Sequence, residues 1–330
     1  FPTRRSSDLK TSNDLSSDAL WDKIAADFQF AFDNLKQSQD QVGRADKNAA
    51  AAYLAKLNLY QAYKQNDAHQ VTSIDAAKLQ KVIDYADKVT GNLEADFGNN
   101  FLDGYDNGAE SIWAVQFSIN DGTNTGRVSF VTGLNSPHGT PLYGCCGFHA
   151  PSQNLVNAFK VGADGLPLFD SYNNANVTPT DLVDPRLDHE IGRPGITWKD
   201  WAARAQQPDW SRDPATYGYF EGKKNVISPN SNGLASNPTG FPWALGNLDF
   251  PIIKYSDLLL WKAEALIESG SNVSGGVALI NEIRNRAKLS PYVKDFNDSS
   301  KNAANYLINL YPLNLSQDAA RKALRMERRL

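Results

Sequence analysis

The sequence predicts a mostly α-helical protein: a scaffold of antiparallel helical pairs, a large loop-rich region and a few short strands. Three observations predict it. Apolar residues recur at three- and four-residue steps towards both ends of the 330-residue chain, the mark of helices with one buried face. The helical stretches come in neighbouring pairs separated by short linkers. Residues 91–250 hold 19 of the 23 glycines and 12 of the 16 prolines, a density that forbids long helices there.

The elements follow in order. The first nine residues, FPTRRSSDL, carry no helical or strand period and read in frame as a sequencing-library adapter, so Phe1–Leu9 are set aside as a scar. A chain entered through an adapter is expected to be a fragment, and its last helix is still running at Leu330. The first helix is expected near Asp18–Leu35, with Leu20, Ile24, Phe28, Phe32 and Leu35 on one face and Ser17 or Asp18 as cap. The second, KNAAAAYLAKLNLYQAYK, spans Lys47–Lys64; its alanines favour helix and allow a neighbour to come close. The third covers Ile74–Val89 and stops before Gly91. Towards the end, KYSDLLLWKAEALIESG is a helix stopped by glycine. VALINEIRNRAKLS follows the linker SNVSGG and closes at Pro291, and a last helix opens near Ser316 or Gln317. Pairs of this size suggest tetratricopeptide-like units. Generic helical hairpins satisfy the same spacing, because the repeat's spaced Trp, Gly, Tyr and Pro positions are not all present. Within the loop zone SIWAVQFS at 111–118 reads as a strand.

Composition excludes several functions. A net charge of −4 and a pI near 5.6 argue against a nucleic-acid partner. No apolar run is long enough to span a bilayer. There is no H-E-x-x-H, no G-x-S-x-G, no phosphate loop and no dinucleotide fingerprint, so no enzyme, cofactor or metal motif stands out. Asp188, His189 and Glu190 adjoin in DPRLDHE, but sequence neighbours point different ways and a surface location is expected. Asp103, Asp106 and Asn107 in DGYDNG lack EF-hand spacing and read as a solvated turn.

Aromatic residues carry the positive signal. Trp198, Trp201, Trp210 and Trp243 fall in a polar stretch rich in Gly, Pro and Asn, together with Tyr217, Tyr219 and Phe220. Aromatic faces in such surroundings suit the apolar C–H face of a pyranose, whose hydroxyls need polar partners at the ring edge. Arg193, Asp200, Arg204, Asp209 and Arg212 are near enough in sequence to supply them. The other reading of the tryptophans is that they fill small cores under long loops. GCCG at 144–147 also has two readings: a vicinal disulfide ring that supports a ligand loop, or two reduced thiols in a turn.

Five stretches together resemble the SusD/RagB family, in order and at similar separations. They are GCCGFHAPSQNLVNAFKVGADGLPLFDSYN, DPRLDHEIGRPGITWKDW, IIKYSDLLLWKAEALIE, INEIRNRAKL and RKALRMERRL. The resemblance covers most of residues 13–330 and implies one domain over 10–330. In it 10–90 and 251–330 form the helical scaffold and 91–250 the ligand-facing loops. It implies a non-catalytic protein, lipid-anchored on the outer surface of the outer membrane, that captures an oligosaccharide and passes it to a TonB-dependent (SusC-like) transporter barrel. The alternatives are a peptide-capturing lid of the same kind of transporter, or a helical-repeat module that binds only protein. The family's lipidated cysteine and first helical segment are absent from this sequence, and Cys145–Cys146 stand where family members often carry Trp. The ligand-contact residues expected here are Trp198, Trp201, Trp210, Tyr217 and Trp243, with Arg193 and Asp200 as polar partners.

Overall fold

The computed structural model describes residues 15–123, 127–140, 143–228, 230–233 and 245–330. In chain order its helices are α1 (Ser17–Asn34), α2 (Lys47–Ala62), α3 (Ala76–Ala86), α4 (Phe130–Asn135), α5 (Gln153–Ala158), α6 (Leu187–Glu190), α7 (Pro214–Tyr217), α8 (Tyr255–Glu268), α9 (Val273–Leu289) and α10 (Gln317–Glu327). The long ones lie at the two ends of the chain, as their periodicity predicts.

Caps and strands set the boundaries where they differ from expectation. Ser16, one residue earlier than expected, caps α1 by accepting from the Ala19 amide. α2 stops at Ala62 because Tyr63–Gln65 turns into a strand that pairs antiparallel with Val71–Ile74. Ile74 is thereby taken from α3, which starts behind Asp75, whose carboxylate accepts from the Ala77 and Lys78 amides. α9 begins earlier than expected, inside the SNVSGG linker, with the Asn272 side chain accepting from the Gly275 amide. Gly276 belongs to this helix because α8 runs close beneath it: a Cβ there would sit 2.9 Å from the Ala263 carbonyl and 2.6 Å from Ile267.

The long helices share two cores. Ala51, Ala52, Ala55 and Leu59 of α2 pack with Leu79 and Val82 of α3 and with Leu258, Trp261 and Ala265 of α8. α2 is buried nearly all round, and its alanines let both neighbours approach it. The other side of α8 (Leu259, Leu260, Ala263 and Ile267) packs with Val277, Ile280 and Ile283 of α9 and with Ala320, Ala323 and Leu324 of α10. α8 is thus the shared central helix.

The loop zone is tied at its base. Ser111–Val115 pairs antiparallel with Phe250–Lys254, so the chain leaves and re-enters the helical scaffold at one place beside α8. Between these strands lie two further cores. Tyr143, Trp198, Trp210, Val226, Ile227 and Leu248 form one; Val156, Phe159, Val183, Leu187 and Ile191 form the other. An ion network joins loops to scaffold. Asp184 pairs with Arg186 at 2.7 Å, and Glu327 of α10 pairs with both Arg186 and Arg284 of α9. No described helix is long and apolar enough to cross a membrane.

Candidate functional site

Burial separates the expected ligand residues. Trp198 and Trp210 are 0% and 4% exposed and meet edge to face at 5.4 Å. The Trp198 indole N–H donates to the Tyr143 hydroxyl, which donates to the Ile227 carbonyl. The buried Lys223 ammonium covers the Trp198 ring. Neither indole has a free face, so both are corrected to core residues that support the loops above them. Arg193 is corrected likewise: it is buried and its fork is closed on the Asp188 carboxylate by two 2.7 Å bonds. Trp201 is partly buried against the same core, with the Arg204 guanidinium over its ring. Asp200 is exposed and accepts from the Ser228 hydroxyl. Trp243 lies outside the described residues.

Tyr217 is the expected residue that offers a free aromatic face; it is 57% exposed. It stands at the end of α7, where Asp213 caps the helix by accepting from the Thr216 amide. Phe148, which is 46% exposed, lines the same opening as Tyr217. The two rings flank an open cavity of about 520 Å3 that Arg212, His149 and Ser152 also line, within the ~300–1,000 Å3 usual for small-ligand sites. Arg212 lies 5.3 Å over the Phe148 ring and donates to the Cys146 carbonyl. His149 shares a hydrogen bond of 2.7 Å with Asn135. Chemically, the cavity offers the exposed Tyr217 ring and the Phe148 ring with the Arg212 guanidinium over it, beside an imidazole, a set that suits a polyhydroxylated ring.

Sequence reasoning missed Phe148. It stands next to the singled-out GCCG turn, but its single aromatic letter differs in nothing from a core phenylalanine. The turn itself is held as a ring: Cys145 and Cys146 are joined by a disulfide.

A second cavity, of about 300 Å3, lies between the loops and the segment after α9. Asp188, His189, Lys199 and Asp200 line it, but the first three are engaged. Asp188, 1% exposed, holds Arg193 and accepts from the Tyr306 hydroxyl. His189 bonds the Pro291 carbonyl, and burial together with Lys223 pushes its pKa down. Lys199 donates to the carbonyls of Phe101, Lys223 and Val226, and burial brings its pKa down to about 7. The surface location expected for Asp188 and Glu190 is therefore corrected: both are buried, because each holds a cation, Arg193 and Lys224 respectively.

The DGYDNG turn is also less solvated than its composition implies. Asp106 accepts from the Asp249 amide, Asp249 accepts from Asn107, and Asp103 accepts from Ser231. Burial, with the Asp249 carboxylate beside it, pushes Asp106 up to about 7. Among the described residues no group of three or more His, Cys, Asp or Glu is placed to hold a metal ion.

Comparison with known proteins places this architecture. The chain superposes on a SusD superfamily protein from Bacteroides vulgatus ATCC 8482 with TM-score 0.62 and 18% identity, covering 96% of this chain and 55% of that one. A SusD-like carbohydrate binding protein from Bacteroides fragilis NCTC 9343 gives TM-score 0.63 and 18% identity over 95% and 56%. A laminarin binding SusD-like protein gives 0.60 and 19% over 94% and 58%. At these identities the likeness is one of fold, and the chain spans a little over half the length of each. No curated protein matches the chain. The sequence pattern of the SusD family matches residues 109–330, about two thirds of the chain, from the strand at the base of the loop zone to the ion network on α10. The chain belongs to the SusD family.

Proposed function

We propose that the protein captures oligosaccharides at the cell surface and delivers them uncleaved to a TonB-dependent transporter. The observation that carries this reading is the 520 Å3 cavity on the loop face, with the exposed rings of Phe148 and Tyr217 beside Arg212. Stacking on the two rings supplies most of the affinity, and the polar edge sets orientation. An open groove buries a small part of a long glycan, so modest affinity is expected. Trp201 and Asp200 are kept as proposed further contacts of a longer glycan. An outer-surface, lipid-anchored location of the whole protein is part of this reading and rests on the family resemblance alone.

One observation favours an additional protein-facing role. Leu20 and Phe30 of α1 and Tyr60 of α2 are 51%, 70% and 60% exposed. Apolar side chains left open on the scaffold suit a protein partner such as the transporter barrel, or the helical-repeat reading in which protein is the ligand. Affinity electrophoresis through gels containing laminarin, xyloglucan or starch tests the main reading, with chromatography of each glycan afterwards. Retardation by at least one glycan, with its chain length unchanged, is the expected result. Free mobility in all gels, together with co-purification of the transporter, would leave the protein-binding reading in its place. Shortened glycan would make the protein an enzyme.

A further inference from the structure

We propose that the Cys145–Cys146 disulfide is a positioning device that pre-orders the aromatic and guanidinium platform of the cavity. The proposal rests on the capture reading above for its ligand and on the loop geometry for its mechanism.

Two adjacent cysteines joined through sulfur close a small ring around their own peptide. Such a ring leaves that stretch of backbone almost no freedom. Cys146 is held at φ 110°, a region that a residue with a Cβ rarely adopts. The ring closes over this residue, and the proposal assigns the backbone conformation to that closure.

That backbone conformation aims groups that build the site. The Cys146 carbonyl accepts from Arg212 Nη1 at 3.2 Å. The Cys145 carbonyl accepts from the Ser136 hydroxyl at 3.0 Å. The next two amides, Gly147 and Phe148, donate to the Ser136 and Leu134 carbonyls at 2.8 and 2.9 Å. The ring therefore lies between α4 and its C-terminal turn on one side and Arg212 on the other. Phe148, two residues on, carries the stacking ring under Arg212. Releasing the ring lets the Cys146 carbonyl turn from Arg212 and frees both Phe148 and Arg212 to move. A ligand would then have to order them at its own expense, which lowers affinity without removing any contact.

The test compares the full-length gene product in three states: oxidised, reduced with tris(carboxyethyl)phosphine, and as the C145S/C146S variant. In the reduction the S–S bond becomes two S–H bonds while the phosphine takes oxygen from water and becomes its oxide. Thiol titration of the unfolded oxidised protein should find no free cysteine; finding two would overturn the proposal. Hydrogen exchange at the Gly147 and Phe148 amides is the readout that needs no ligand. The proposal expects at least tenfold faster exchange in the reduced protein and in the variant, with the melting temperature of the whole molecule nearly unchanged. Equal exchange in all three states would overturn it, whatever the ligand. Calorimetry with laminarihexaose and xyloglucan oligosaccharides then reads the site itself. The reduced protein should bind about tenfold more weakly than the oxidised one, and the variant should match it and ignore the phosphine. Equal affinity would overturn the positioning role. No binding by the oxidised protein, with the exchange difference intact, would instead overturn the capture reading and leave the ordering of the loop standing.

Discussion

Glu327→Gln tests what holds the loop face on the scaffold. Glu327 closes a buried network in which Asp184, Arg284 and Glu327 side chains are 0% exposed and Arg186 is 3% exposed. Two guanidinium groups are balanced by two carboxylates, and the remaining Arg284 donors reach the Asn309 and Gly165 carbonyls at 2.8 and 3.1 Å. The substitution keeps the volume and removes one charge, so one guanidinium is left uncompensated in a dry site. Breaking such a pair costs about 3–5 kcal/mol, a large share of the ~5–15 kcal/mol that holds a domain folded. With a urea m-value of about 3 kcal/mol/M for a chain of this size, the midpoint should fall by about 1 M or more. Tryptophan fluorescence follows the transition, since Trp198 and Trp210 are buried. Arg284→Met should also destabilise, and the two together should cost less than the sum of the singles. A midpoint shift below about 0.3 M for Glu327→Gln, or full additivity of the pair, would refute the idea that these four charges act as one unit.

Three further outcomes are expected. Burial alone would raise the Asp184 carboxyl, but Arg186 and Arg284 outweigh it and hold it below the usual range. Its contribution is therefore present above the unfolded carboxyl value of about 4 and lost as pH falls through the folded one, and an acid-unfolding profile of Asp184→Asn that matches the wild type would contradict this. Asp106 has the opposite sign: its folded pKa is raised to about 7, so the folded state holds the extra proton and stability falls as pH rises from about 4 to 7. Because Asp106 is only partly buried, solvent screening reduces the effect: Asp106→Asn should stabilise the protein by about 1–3 kcal/mol at pH 8 and leave it unchanged at pH 4, and an equal effect at both would refute the cause assigned. At Gly139 a Cβ would sit 1.9 Å from the Asp209 carbonyl, so Gly139→Ala should cost about 2–3 kcal/mol, and an unaltered Tm would show that the strand of loop can move aside.

The legibility of the chain divides along physical lines. The long helices could be read because α1, α8 and α10 each present a recurring apolar face, and Ser16 and Ser316, the caps of α1 and α10, are residues with a short acceptor side chain. The helical pattern of α2 continues through Tyr63 and Lys64, so the sequence predicts helix as far as Lys64; only the pairing of Tyr63–Gln65 with Val71–Ile74 makes these residues strand. The loop zone resisted reading for a different reason. An aromatic residue among Gly, Pro and Asn has the same composition around it whether it faces ligand or fills a small core. Trp198 and Trp210 took the second course because a long loop region must bury something of its own to hold a shape. Tyr217 is left exposed instead, since α7 is a single turn at the rim. Arg193 was visible as a cation, but its partner Asp188, five residues before it, could be known only once the turn through α6 brought the two together. The disulfide was legible as one of two options, and Phe148 as part of the site was not legible at all.

Calorimetric titration of the full-length protein and its Tyr217→Ala variant, with laminarihexaose, xyloglucan oligosaccharides and maltoheptaose, tests the central claim most directly. Each mixture should then be separated by chromatography. The account predicts saturable heat for at least one sugar in the wild type, a loss of several-fold or more in affinity for the variant at unchanged Tm, and sugars recovered intact. Binding that Tyr217→Ala leaves unchanged would remove this cavity from the site, and the absence of heat with every sugar would contradict glycan capture by this face of the molecule.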